Sequence, residues 1–146
     1  KNIKLISPVS EKITVVKHRN GKDLWVTVHQ WNSDAFYVFP VTAGGVGKPV
    51  ISNIGIRHRE TGAGLNRESI GYLVSSPDGK KLCSAICYKP DNDLELFDFD
   101  NSIGKISNPQ KILTKGFAYG IAFSPDNSKW SGSMDAQLPV PTHTFL

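Results

Sequence analysis

The chain has 146 residues, of which 39% are hydrophobic, 10% aromatic and 21% charged. That is the make-up of an ordinary folded domain, which excludes a disordered or fibrous chain. Lys and Arg outnumber Asp and Glu by 17 to 13, but they are scattered, so the excess reads as a basic surface and not as a nucleic-acid interface. No apolar run approaches the length of a membrane helix, and the absence of a secretory leader decides little because leaders are removed on maturation.

In chain order, the first strand is predicted over Ile13 to Lys17, followed by a turn at Asn20-Gly21. The second strand covers Leu24 to His29, where Leu-Trp-Val-Thr-Val has the β-branched and aromatic character that strands favour. A third covers Ala35 to Val41, a turn spans Thr42 to Gly47, and a fourth strand starts near Pro49-Val50-Ile51. A long polar connection, Gly55 to Ser69, leads to a second set. It reads Gly71 to Ser75, a turn at Asp78-Gly79, Leu82 to Tyr88, Leu94 to Phe99, a turn over Asp100 to Gly104, and a strand from Pro109 to Ile112.

A third set opens with Tyr119 to Phe123 and the turn Asp126-Asn127. Asn-Gly and Asp-Gly mark tight hairpins because these residues tolerate positive φ. Pro77 and Pro125 cannot donate a ladder bond and mark where the first strands end. After Trp130 the pattern fails. Ser131-Gly132-Ser133 stands where an apolar strand belongs, and Pro139 and Pro141 exclude a central strand, so the tail is expected to be irregular or an edge. No segment carries a helical period.

The three sets are copies of one unit. Ser76-Pro77-Asp78-Gly79-Lys80-Lys81-Leu82 returns as Ser124-Pro125-Asp126-Asn127-Ser128-Lys129-Trp130, a spacing of 48 residues (76 to 124). His18-Arg19-Asn20-Gly21-Lys22-Asp23-Leu24-Trp25 is a degenerate copy at a spacing of 58 (20 to 78), and the long connection accounts for the difference. A period near 50 with several short strands is the mark of a β-propeller blade. The fold class expected is therefore all-β: a propeller fragment of about two and a half four-stranded antiparallel blades. The units fall over about 12–54 and 70–113, with an incomplete one from 118. Such a fragment leaves strand edges open, so further blades of a parent protein or self-association are expected to cover them.

Cys83 and Cys87 fall in one predicted strand, where their Cα atoms would lie about 13 Å apart, too far for a disulfide. They read as small buried thiols.

Several motifs in order resemble the propeller repeats of exported Bacteroidetes surface proteins, the group associated with gliding motility and type IX secretion. They are Asn20-Gly21-Lys22-Asp23-Leu24-Trp25-Val26, His29-Gln30-Trp31-Asn32-Ser33, Ile70-Gly71-Tyr72-Leu73, Leu94-Glu95-Leu96-Phe97-Asp98-Phe99-Asp100, Ser102-Ile103-Gly104 with Asn108-Pro109, and Tyr119-Gly120-Ile121-Ala122-Phe123-Ser124-Pro125-Asp126. The resemblance covers about residues 12–130. It implies a non-catalytic, extracellular binding or structural module on a secreted or cell-surface protein. The pattern departs after Lys129, where the group would continue with an apolar strand.

Because the strands of a blade alternate in direction, loops between second and third strands and between blades emerge on one face of a propeller. The motif turns emerge on the other and read as structural. The first face is expected to collect His29, Trp31, Asn32, Arg57, His58, Arg59, Arg67 and Tyr88, with Asp34, Glu68 and Asp91 nearby. An aromatic ring beside cations at loop tips suits a protein or glycan ligand, while the same Trp could simply pack on the blade edge. An alternative is a lactonase-like propeller enzyme acting on small sugar-derived lactones, with His29, Arg57, His58 and Glu68 converging on one face.

No catalytic motif and no cofactor motif is present. His18, His29, His58 and His143 form no metal-ligand cluster in sequence. Asp98-x-Asp100-x-Ser102 lacks the Gly and the bidentate Glu of a calcium loop.

Overall fold

The computed structural model describes residues 3–60, 66–87, 94–112, 118–134 and 142–144. Three antiparallel sheets follow one another along the chain. The first contains β1 (Val9–Lys17), β2 (Leu24–Gln30), β3 (Ala35–Thr42), β4 (Gly45–Val46) and β5 (Val50–Asn53). β4 and β5 share the outer side of β3, so this sheet is a four-stranded blade with a divided last strand. The second contains β6 (Leu73–Ser75), β7 (Lys81–Ala85), β8 (Leu94–Asp100) and β9 (Lys105–Ile112), in that order. The third contains β10 (Ala118–Phe123), β11 (Lys129–Met134) and β12 (Thr142–Thr144). Among the described residues the only helical element is a 3-10 turn at Arg67–Ser69, and no helix is long and apolar enough to cross a membrane.

The repeated turns share one construction. In each, a backbone N–H closes a four-residue turn: Gly21 to the carbonyl of His18, Gly79 to Ser76, and Asn127 to Ser124. The closing residue has φ of +71°, +68° and +62° respectively, a region open to Gly and tolerated by Asn. The Ser of Ser-Pro-Asp explains the motif. Ser76 Oγ donates to Asp78 and accepts from the N–H groups of Lys80 and Lys81. Ser124 donates likewise to Asp126. Each connection, six residues in the first sheet and five in the other two, is thus built on a four-residue turn, and in the second and third it is braced by side chains.

Period-two alternation sets two cores. From β7 and β8, Leu82, Phe97 and Phe99 point toward the first sheet and pack on Val16, Trp25, Phe36 and Val38. Cys83, Ala85, Leu94 and Leu96 point the other way, toward Ala118, Ile121 and Trp130 of the third sheet. Trp25 Nε1 donates to the carbonyl of Asn101 across the first seam, 2.9 Å away. β1 lies on β6 and β6 on β10, so the first strands of the three sheets are the inner ones.

Two expectations need correction. The tail does not dissolve after Trp130: Ser131-Gly132-Ser133 lies within β11, pairing Gly132 with Ile121 and Ser131 with Ala122. Small residues suit this strand because it runs tight against β10; a Cβ on Gly132 would meet the Gly120 carbonyl oxygen at 3.2 Å. β12 begins just after Pro141, and its Thr142 to Thr144 pair with β11 at the edge of this sheet, so the expectation of an edge in the tail holds. The second-blade strand is also shorter than Leu82 to Tyr88. β7 ends at Ala85, so Cys87 lies beyond it, half-buried, while Cys83 is fully buried. Neither cysteine is in a disulfide.

Candidate functional site at the loop face

The β2–β3 loop and the connection after β5 meet on one face, and backbone bonds lace them together. The His58 N–H donates to the Ser33 carbonyl and Ile54 N–H to that of Asp34. Asn32 occupies the left-handed region at φ +56°. Its carbonyl accepts from Arg57 Nε at 3.1 Å, and its side-chain oxygen from Arg57 Nη2 at 3.4 Å. Trp31 is half-buried beside it, its backbone N–H on Pro8. Arg57, Arg59 and Arg67 are exposed. The Arg59 backbone N–H donates to Glu68 Oε2 at 2.6 Å, which ties the Arg59 and Arg67 stretches to one another. Tyr88 and Asp91 lie outside the described residues.

Beneath this rim the two histidines are fully buried and stacked, ring centroids 3.8 Å apart. They sit in the seam between the first and second sheets, and Phe36 meets His29 edge-on. Burial, reinforced by the positive charge of Lys12, lowers the pKa of His29 to about 3, so its imidazole is neutral. Neither of its ring nitrogens has a hydrogen-bond partner among the described residues. Glu68 and Glu95 are buried close by, and the Glu95 carboxylate accepts the Ile56 N–H through both oxygens.

Lys12, which the strand pattern does not single out, is the largest fully buried side chain of this seam. Its ammonium donates to the carbonyls of Glu68 at 3.1 Å and Ile70 at 2.9 Å. Burial brings its pKa down to about 8, while the carboxylates of Glu11 and Glu68 and the Cys87 thiol oppose that shift. Glu11, next in the strand, accepts the Gly71 N–H at 2.6 Å. The Glu11-Lys12 pair therefore clamps β1 to the start of the second blade. Its only sequence signal is a charged residue at an inward step of β1, which alternation cannot separate from a surface lysine.

The site thus divides by depth. The groups capable of acid–base chemistry, His29, His58, Glu68 and Lys12, are inside the seam. The solvent meets Asn32, one side of Trp31 and the three arginines. Among the described residues no group of His, Cys, Asp and Glu is arranged to hold a metal ion.

No known protein family and no curated protein matches the chain in sequence. Among solved structures it is similar to a 6-phosphogluconolactonase-like propeller protein of Bacteroides fragilis NCTC 9343, with a TM-score of 0.67 and 16% identity over 95% of this chain. The chain spans 36% of that protein's length. A complex of KlAtg21 with the coiled-coil of AgAtg16 superposes more loosely, at a TM-score of 0.48 and 12% identity over 90% of this chain and 39% of that one. At such identity the first likeness speaks to the fold, and with the three sequential antiparallel sheets it identifies this chain as a β-propeller fragment.

Proposed function

We propose that this chain is a binding or structural propeller module of an exported bacterial surface protein, with no catalytic centre of its own. The observation that carries the reading is the depth division of the loop face. His29 and His58, which a lactone-cleaving site would need at the surface, are fully buried. Arg57, Arg59 and Arg67 are exposed beside a half-buried Trp31, a surface that can stack on a sugar ring or an aromatic side chain and attract an anionic group. Export and a surface location are supported by the motif resemblance over residues 12–130. The partner is a protein or a glycan, without a cofactor and without nucleic acid.

The test is a glycan and protein-ligand screen with the purified chain, repeated with Arg57→Ala/Arg59→Ala. A ligand lost from the double variant, with the melting temperature unchanged, supports the reading. The second reading, a lactonase-like enzyme, is favoured by the lactonase-like structural neighbour. Hydrolysis of a sugar lactone by this chain, removed by His58→Ala and by Arg57→Ala, would replace the module by the enzyme.

A further inference from the structure

On the opposite face, the inner strands of all three sheets end around a cavity of about 770 Å³. β1 reaches it at Lys17, β6 at Ser75 and β10 at Phe123. The repeat pattern by itself marks this face as structural only. We propose that the cavity binds a small organic anion, a carboxylate or phosphate group on an apolar or ring-shaped body, held by Lys17, Arg19 and Lys80. The volume lies within the range of small-molecule sites.

The charge balance is one-sided. Lys17, Arg19 and Lys80 are exposed cations lining the cavity. Among the described residues none of these three forms an ion pair with a carboxylate, although Arg19 lies near enough to Asp100 to help lower its pKa. The single acid on the cavity wall is Asp78. Its Oδ1 is already occupied by the Ser76 hydroxyl at 2.6 Å and the Lys80 N–H at 3.1 Å. Cations gathered at a concave wall focus potential and raise the local concentration of anions.

A placed ring donor adds to them. His18 lines the cavity, and its Nδ1 accepts the Asn20 N–H at 3.0 Å. Nε2 is therefore the ring nitrogen left to donate. Stacking on Trp25, centroids 5.1 Å apart, fixes the plane of the ring. Val16, which belongs to the core of the first seam, and Phe123 supply an apolar wall, which a bare inorganic ion would not use.

A neighbouring cavity of about 420 Å³ serves as an internal control. It shares Arg19 and Lys80 but includes Asp98 and Asp100, and its Lys81 is bound to Asp98 at 2.6 Å. Its charges are closer to balance, so an anion is drawn to the larger cavity.

The experiment is titration calorimetry of the intact chain at low salt with benzoate, phenyl phosphate and inorganic phosphate. The expected result is saturable binding of benzoate, phenyl phosphate or both, tighter than inorganic phosphate. Binding of only one identifies the preferred anionic group. Lys17→Gln/Lys80→Gln should weaken it on the order of tenfold or more, while Arg57→Gln on the other face leaves it unchanged. Both variants alter exposed side chains, and their thermal melting is checked alongside. Absence of saturable binding of either aromatic anion overturns the proposal. So does binding that survives the double substitution, or inorganic phosphate binding as tightly as phenyl phosphate. The module reading concerns the other face and stands or falls separately.

Discussion

At the scale of single residues, Gly71 shows how closely the seams are fitted. Its φ is +116°, and a Cβ there would meet the Ala85 carbonyl oxygen at 2.4 Å. Gly71→Ala should therefore cost roughly 3 kcal/mol from left-handed strain and forced displacement of β7. A fall of about 10 °C in melting temperature would show this, and an unchanged melt would refute it.

His29 sets the acid side of the stability profile. Its pKa is about 3 in the folded chain against 6.5 for the free side chain. Between those values the unfolded chain takes up a proton that the folded chain refuses. Its contribution is intact above pH 6.5 and is lost as the pH falls toward 3, at up to about 1.4 kcal/mol per pH unit. Denaturant titrations from pH 7 to 4 should show this slope, and His29→Leu should flatten it. On the alkaline side two groups oppose one another. Lys12, lowered from 10.5 to about 8, makes stability rise with pH between those values. Cys83, buried and raised above its ordinary 9.0, makes stability fall as the pH climbs past that point.

At the scale of elements, Trp31 separates recognition from packing. If it is a ligand platform, Trp31→Ala weakens binding by about 1 kcal/mol or more and leaves the melting temperature alone. If it packs on the blade edge, the reverse holds. The strands were legible because Leu24 to Val28 and Leu94 to Phe99 carry β-branched and aromatic alternation and the turns carry Gly, Asn and Asp. β11 was not, because its stability comes from backbone pairing and close approach at Gly132, which leave no hydrophobic signature. The loop-face cluster was legible as a neighbourhood: Asn32 and Arg57 do touch. Its depth was not, since a period of two cannot tell a blade face that meets another sheet from one that meets water. That is why His29 reads as a surface ligand and Lys12 as an ordinary surface cation until the sheets are packed together.

At the scale of the whole molecule, the first sheet has two apolar faces. Its inward face packs on the second sheet. On the outward face the ladder aligns Ile13 with Val28, Val15 with Val26 and Leu24 with Val41. Ile51 extends the row beside Tyr37. Ile13 and Val15 are 60% and 51% exposed. An apolar surface of this kind is a docking liability in a lone chain. We expect concentration-dependent association through it, with Ile13→Lys/Val15→Lys restoring a monomer in light scattering. A monomer at high concentration in the unmodified chain would count against it.

The three tryptophans are distributed so that each reports on a different place. Trp25 is buried in the first seam with its indole N–H on Asn101, Trp130 is buried in the second, and Trp31 is half-buried at the loop face. Each seam thus contains its own intrinsic fluorophore. Chains retaining only Trp25 or only Trp130, the others replaced by Phe, would report the opening of each seam as a separate red shift in emission. Coincident transitions would mean that three sheets unfold as one cooperative unit. A lag between them would mean that the blades separate in succession.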